Sequence, residues 1–280
     1  MNNSIYPCLW FDNLAKEAAR FYCSIFNNSK IISENSFISK FELEGKAIIA
    51  LNGGPMFKIN PSISLFVTCQ TEGEIKNLYD KLMEGGGAMM ALDKYPWSEK
   101  YAWVVDKYGM TWQLILRELP EGQQKIKVSF LFVGDLYGKA HDAIKHYSTI
   151  FPNSHIDSME FYHEGEAQPE GNLKFGLFSL NKEFFAAMDG PGNHDFEFNE
   201  GVSITVECET QTEIDHYWTK LTEGGAESQC GWLKDKFGVS WQIVPTVLGT
   251  LMNDPAKAGK VMEAFMKMKK FDIEKLLQAV

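Results

Sequence analysis

The side chains able to do chemistry are unevenly placed along the 280 residues. All six histidines, His141, His146, His155, His163, His194 and His216, lie in the second half. The five cysteines (Cys8, Cys23, Cys69, Cys208 and Cys230) are scattered and never form a CxxC pair. A zinc-, nickel- or iron-type ion wants imidazole, thiolate or carboxylate ligands, and the first half has no imidazole to offer. The polar chemistry that recurs is amide chemistry, Trp112-Gln113 and Trp241-Gln242. On a strand of alternating exposure, one member of each pair faces away from the other. Each Gln amide either contacts a ligand or bonds neighbouring strand groups, and the spacing leaves both open. His194, with an imidazole pKa ordinarily near 6.5, suits an acid–base or ligand-contact role. The first half carries Met56-Phe57-Lys58 in the corresponding stretch. Tyr6, Trp10, Trp97, Trp103 and Trp232 are candidates for an apolar pocket wall or for core. Cys230, beside Trp232, reads first as a structural thiol.

These residues sit inside a repeat. Phe21-Tyr-Cys-Ser-Ile-Phe-Asn-Asn-Ser-Lys-Ile31 returns as His146-Tyr-Ser-Thr-Ile-Phe-Pro-Asn-Ser-His-Ile156. Ile63-Ser-Leu-Phe-Val-Thr-Cys69 returns as Val202-Ser-Ile-Thr-Val-Glu-Cys208, and Ala102–Ile115 returns as Gly231–Val244. The offset grows and then shrinks, so the second copy has an insertion before Cys208 and a deletion after it. The organisation expected is a first domain over 1–120, a second over 125–248 and a helical tail over 249–280. Within a copy the order βαβββ runs twice. A strand over 5–11 leads through Asp12 or Asn13 into a helix with Ala15, Ala18, Ala19 and Tyr22 at helical spacing. Extended segments follow near 29–37, 39–44 and 46–52, the last two joined across Glu44-Gly45. A strand over 62–69 then leads through Thr71 and Glu74, a capping box, into a helix over 72–84. Strands near 88–92, 101–105 and 111–116 close the copy. In the tail, Asp254-Pro255 predicts one helix start and Asp272 another. Asn52-Gly53-Gly54-Pro55 and Asp189-Gly190-Pro191 read as turn chemistry.

Composition removes several function classes. With 27 basic against 37 acidic residues the formal charge is −10 and the pI near 5.2. A nucleic-acid binder needs a basic face, so nucleic acid is not an expected partner. No apolar run approaches the roughly 20 residues of a spanning helix, and no signal peptide is visible at the start. Odd, scattered cysteines suit a reducing compartment. The expected location is cytoplasmic, with no membrane partner.

Pro7-Cys-Leu-Trp-Phe-Asp12, Phe21-Tyr22, Ile25-Phe26-Asn-Asn-Ser29, Leu51-Asn-Gly-Gly54 and Trp112-Gln113 resemble the PhnB-like family. That family is also labelled 3-demethylubiquinone-9 3-methyltransferase-like, within the vicinal oxygen chelate superfamily that includes glyoxalase I. Cys230-Gly-Trp-Leu-Lys-Asp-Lys-Phe-Gly238, Ser240-Trp-Gln-Ile-Val-Pro245 and the tail Val261–Ile273 extend the resemblance over nearly the whole chain. It implies an α+β fold of tandem paired βαβββ modules, curved sheets that cup a ligand, and a C-terminal helical tail. With one cup to each copy, the superfamily's metal positions fall on Tyr6, Ala50, Ser62 and Gln113, and near Val128, Ala187, Gly201 and Gln242. Neither set supplies a transition-metal ligand set, so no metal and no cofactor are expected. The methyltransferase label finds no S-adenosylmethionine loop. Gly85-Gly-Gly87 and Gly224-Gly225 follow helices and precede strands, the reverse of a cofactor-cradling turn, and read as helix C-caps.

The leading expectation is a metal-free small-molecule-binding protein whose candidate ligand-binding residues are Tyr6, Trp10, Gln113, His194, Trp232 and Gln242. The alternative is an enzyme of glyoxalase-, dioxygenase- or 3-demethylubiquinone 3-methyltransferase-like type. A third reading makes the first copy a degenerate scaffold for the second. The partner expected is a small-molecule ligand. The two copies pair as an internal pseudo-dimer, and a homodimer is the other association the resemblance allows.

Overall fold

A computed structural model describes residues 3–166 and 168–280. Four βαβββ modules follow one another. The first is β1 (Ile5–Phe11), α1 (Ala15–Ile25), β2 (Ser29–Glu34), β3 (Ile38–Leu43) and β4 (Lys46–Asn52). The second is β5 (Ile63–Cys69), α2 (Glu72–Met83), β6 (Gly87–Tyr95), β7 (Ser98–Val105) and β8 (Thr111–Leu116). The third is β9 (Ile126–Phe132), α3 (Ala140–Ile150), β10 (His155–Phe161), β11 (Leu173–Leu180) and β12 (Glu183–Asp189). The fourth is β13 (Val202–Cys208), α4 (Gln211–Thr222), β14 (Ala226–Glu227), β15 (Trp232–Lys234) and β16 (Ser240–Pro245). Then come α5 (Thr246–Met252), α6 (Ala258–Phe265) and α7 (Ile273–Gln278).

The fold class is α+β, as expected. The pairing of modules differs from one cup per copy. One sheet runs β14-β15-β16-β13-β1-β4-β3-β2, joining the first module to the fourth; the other runs β10-β11-β12-β9-β5-β8-β7-β6, joining the second to the third. The seams are antiparallel, with Cys8 opposite Ser203 on β1–β13 and Ser64 opposite Ser129 on β5–β9. Each sheet therefore takes half its strands from each copy. Two inter-copy seams satisfy edges that a single copy would leave open. Each copy therefore contributes strands to both curled sheets.

Both sheets are hydrophobic-in on one face. Ile5, Leu9 and Phe11 of β1, Ile204 and Val206 of β13, and Trp241 and Ile243 of β16 join the helices in one core. The period of two then sends Tyr6, Cys8 and Trp10 to the opposite, helix-free face. Ring contacts show that this face curls. Trp10 and Trp232 lie three strands apart in sheet order, yet their centroids are 5.8 Å apart. Phe66 and Phe175, also three strands apart, meet at 5.5 Å. A flat sheet would separate such strands by about 14 Å. The two curled faces form cup A (β1, β4, β13, β16) and cup B (β5, β8, β9, β12).

Several local expectations hold, and others shift. Thr71 accepts from the Glu74 amide and Glu74 accepts from the Gln70 amide; Thr210 and Glu213 form the equivalent box in α4. Neither Asp12 nor Asn13 caps α1. Asn13 turns with φ +59°, and the Ala15 amide donates to Asn52 Oδ1 at 2.9 Å. In the third module Asp189 accepts from the Gly138, Ala140 and Leu173 amides. These end-of-strand residues are helix caps delivered from β4 and β12, beyond the turn role their glycine neighbours suggest. α6 begins at Ala258, later than Asp254-Pro255 predicts, because Asp254 Oδ1 and carbonyl organise a preceding turn with Ala256, Lys257 and Ala258. Asp272 does cap α7, through the Lys275 amide.

Two buried carboxylates tie the modules of each copy together. Asp106 accepts from Tyr22 and Trp112 side chains, both at 2.8 Å, and from the Tyr108 and Met110 amides. Asp235 accepts from Tyr147 at 2.7 Å, Trp241 at 2.8 Å, and the Phe237 and Val239 amides. Burial raises both acids, and carries Asp235 to about 6, while the four donors pull downward. A folded-state pKa above the unfolded value near 3.8 makes this acid's contribution fully present below pH 3.8 and lost as pH rises through about 6. Asp235→Asn removes that titration and sets an amide against two donors, costing about 1–3 kcal/mol. The stability of the native chain relative to Asp235→Asn, from urea melts across pH 3.5–7, should therefore fall by roughly 3 kcal/mol as pH rises. A pH-independent difference would remove Asp235 as the titrating group.

Candidate functional site

Cup A places three side chains at its centre. Gln242 Nε2 donates to Ser203 Oγ at 2.9 Å, and Cys8 lies opposite Ser203 across the β1–β13 seam. Burial raises the Cys8 thiol to about 12, with hydrogen bonds to Gln242 and Ser203 opposing. A thiol held protonated there is a small polar wall rather than a nucleophile. Ile49, opposite Cys8 on β4, is the apolar fourth member.

One end of cup A is aromatic. The Trp10 ring packs edge-on against Phe57 at 5.0 Å and Trp232 at 5.8 Å, and its Nε1–H donates to the Gly54 carbonyl at 2.7 Å. Gly53 lies against the Trp10 ring so closely that a Cβ there would overlap it. The other end is charged but self-contained. Tyr6 donates to Glu207 Oε1 at 2.5 Å, and Lys40 Nζ lies 3.2 Å from the same oxygen and 4.8 Å above the Tyr6 ring. Burial, then Glu207, raises the Tyr6 hydroxyl, which stays protonated.

Cup B repeats the centre. Gln113 Nε2 donates to Ser64 at 2.7 Å and lies 3.5 Å from Ser129, while Tyr101 donates to Gln113 Oε1 at 2.7 Å. Ala186 stands opposite Ser129 on β12. The walls are Phe66, Tyr101, Ile115, Trp103 and Phe175. The β6–β7 hairpin overhangs this cup, and Tyr95 stacks on Trp97 at 5.2 Å at its tip. The hairpin of β14 and β15 is much shorter, which is where the second copy's deletion lies. At cup A the tail packs there instead: Cys230 and Gly231 donate to the Met268 and Lys269 carbonyls, and a Cβ on Gly231 would overlap Phe271.

Of the six sequence candidates, Tyr6, Trp10, Trp232 and Gln242 come together in cup A, and Gln113 occupies the matching place in cup B. His194 does not join them. It lies in the 190–201 connection, with Nε2 3.0 Å from the Pro191 carbonyl and its ring against Phe196. The metal positions inferred from the resemblance also move. Ala50, Val128 and Ala187 belong to the helix-side core, and Gly201 precedes β13. The central sets are Cys8, Ile49, Ser203, Gln242 and Ser64, Gln113, Ser129, Ala186. Hydroxyls, amides, one thiol and aliphatic groups do not fit a divalent metal. Among the described residues no group of three or more His, Cys, Asp or Glu is placed to hold one. Sequence reasoning missed the central serines, although Ile63-Ser64 and Val202-Ser203 stand at matching places in the repeat.

Two eight-stranded sheets built from paired βαβββ modules, each curled around a polar centre, define a protein of the vicinal oxygen chelate class. Within that class the chain belongs to the PhnB-like family: it matches the family described as 3-demethylubiquinone-9 3-methyltransferase over residues 3–115 and 124–244. A putative 3-demethylubiquinone-9 3-methyltransferase, PhnB protein, from Bacillus cereus is 35% identical over 40% of this chain and 98% of its own, with TM-score 0.38. A protein from Staphylococcus aureus is 32% identical over 41% of this chain and 96% of its own, with TM-score 0.20. Glyoxalase I from Zea mays covers 90% of this chain and 97% of its own at TM-score 0.56 and 11% identity, a likeness of fold. No curated protein matches the chain. No helix is long and apolar enough to cross a membrane among the described residues.

Gly53→Ala tests the aromatic end of cup A. The added methyl has to displace the Trp10 ring from Gly54 and Phe57, costing about 1–3 kcal/mol. The expected outcome is a lowered thermal midpoint with a shifted tryptophan emission spectrum. An unchanged spectrum would mean that Trp10 is not held by this contact.

Proposed function

We propose that the chain is a metal-independent small-molecule-binding protein that holds apolar, aromatic-bodied ligands in its cups. The observation carrying this reading is the pair of neutral Gln–Ser centres, Gln242–Ser203 and Gln113–Ser64, in the middle of the two curled faces. An amide can exchange its bond to a serine for one to a ligand carbonyl or hydroxyl, which orients the ligand without activating it. Cup B has aromatic walls and cup A an aromatic end, so the larger part of the binding energy is apolar burial and ring packing. His194, bonded to its own loop, has no part in this reading. No reaction is assigned, because the groups at the two centres are neutral hydrogen-bonding partners rather than an acid–base pair. A soluble, cytoplasmic setting is the one in which such a protein would meet its ligand.

The test is a screen of neutral aromatic amides and ketones, read by thermal shift and calorimetry in the presence of a chelator. Binding should persist without metal. Gln242→Leu with Gln113→Leu should weaken the hits by about ten-fold, one lost hydrogen bond at each centre. Binding that appears only when a transition metal is added would refute the proposal.

A further inference from the structure

The two cups are related by the repeat, so each position in one has a counterpart in the other. Ile63–Cys69 aligns with Val202–Cys208, which sets Phe66 against Thr205 and Thr68 against Glu207. The strand registers set Lys127 against Tyr6 and Leu177 against Lys40. At this level cup A neutralises itself, Lys40 pairing with Glu207 and Tyr6 donating to the same oxygen. At these positions cup B has two cations, and the acid nearest on its face, Glu160 opposite Phe175 on β10, is exposed and forms no ion pair with either among the described residues. Lys127 is completely buried, and the hydrogen-bond acceptor of its Nζ is the Gln124 carbonyl. Arg117 continues the cup face of β8 beyond Gln113 and Ile115. Its guanidinium lies 5.8 Å from the Phe66 ring centroid and 5.9 Å from that of Phe175. Its Nε is buried without a hydrogen-bond partner among the described residues, and so are Trp103 Nε1 and Thr68 Oγ1. Thr68 occupies the place of the missing carboxylate.

The unused groups are of one kind. Two cationic side chains, an indole N–H and a hydroxyl are all donors, set against aromatic walls. An open cavity of about 640 Å³ lies beside them, lined by Tyr95, Trp97, Ile115 and Arg117 and, at the hairpin tip, by Lys94 and Glu99, which pair with each other. A buried ammonium and a half-buried guanidinium without a paired carboxylate are costly unless a ligand supplies one. The strain shows in both groups. Burial, followed by Arg117 and Lys46, lowers Lys127 to about 8, and burial lowers Arg117. Asp157 and Glu160 act on them from exposed positions on β10 and, among the described residues, form an ion pair with neither.

We propose that cup B is an organic-anion site, taking a small molecule with an aromatic or aliphatic body and a carboxylate head. The head lies on the Arg117 guanidinium with Lys127 behind it, and the body packs among Phe66, Trp103 and Phe175. The carboxylate restores the negative charge that Glu207 supplies in cup A, and it accepts the donors now left unpaired. This rests on the small-molecule reading above and adds the ligand's charge and the cup that takes it.

The test uses matched pairs, benzoate and benzamide, cinnamate and cinnamamide, octanoate and octanamide, titrated calorimetrically into the full chain. At least one carboxylate should bind about ten-fold tighter than its amide, the worth of one charge-assisted hydrogen bond. Arg117→Met and Lys127→Met should each erase that preference, and Arg117→Lys should keep part of it. The comparison on the native chain stands even if a variant fails to fold. Equal affinity for acid and amide, or a preference that survives both methionine variants, overturns the anion site and leaves the cup reading standing. Absence of binding by every member of every pair overturns both.

Discussion

The fold depends on two buried carboxylates. Asp106 and Asp235 each collect a tyrosine hydroxyl, an indole N–H and two backbone amides. An isolated carboxylate in such a place would be driven neutral; four donors are what keep its burial tolerable. The donors come from separate modules. Tyr22 stands on α1 of the first module and Trp112 on β8 of the second; Tyr147 and Trp241 repeat this in the other copy. The carboxylates therefore clamp modules within a copy, while the sheet seams β1–β13 and β5–β9 join modules between copies. Two sets of bonds at cross purposes make a closed ring of four modules, and no module can leave without breaking both kinds.

This geometry explains why the Trp-Gln dipeptide recurs. Strand alternation gives adjacent residues opposite duties. Trp112 and Trp241 reach the buried carboxylates on the helix side, and Gln113 and Gln242 reach the serines on the cup side. The same strand thus couples the rigidity of the core to the position of each cup's central amide. A shift of β16 that relaxed the Asp235 network would move Gln242 with it, so the polar centre is held by the core rather than by a loop.

Much of the local structure was legible because its cause is local. The strand over 5–11, the capping box at Thr71 and the Asp272 cap follow from side-chain types a few residues apart. The helix cap from Asn52 was not, since Asn52 lies 37 residues beyond the amide it receives. Sheet pairing between copies was equally hidden. A repeat reveals that two segments are alike and says nothing about which partner each one chooses. The connections 53–62 and 190–201 make that choice visible only in three dimensions, where Asn60 donates to the Glu197 carbonyl and Asn199 to the Lys58 carbonyl. Of the candidate residues, those on strands were placed by alternation and five reached the cups. His194 lies outside the cups, in a connection with no periodicity from which its direction could be read.

Because each cup draws one module from either copy, divergence between the copies alters both cups at once but not in the same half. Identical copies would have built identical cups. The change of Thr68 to Glu207 between the second and fourth modules, and of Lys127 to Tyr6 between the third and first, falls on facing strands of the seams. In cup A the two changes compensate, since a carboxylate arrives where a tyrosine and Lys40 can hold it. In cup B the same two positions leave a cation beside an unpaired hydroxyl, under an arginine stacked on rings. The hairpins diverge in the same sense: the long β6–β7 arm extends the wall of cup B, whereas the tail closes over the short β14–β15 turn of cup A. One scaffold thus carries two differently charged and differently covered cups. Duplication supplied the symmetry, and it is the departures from symmetry that distinguish what each cup can hold.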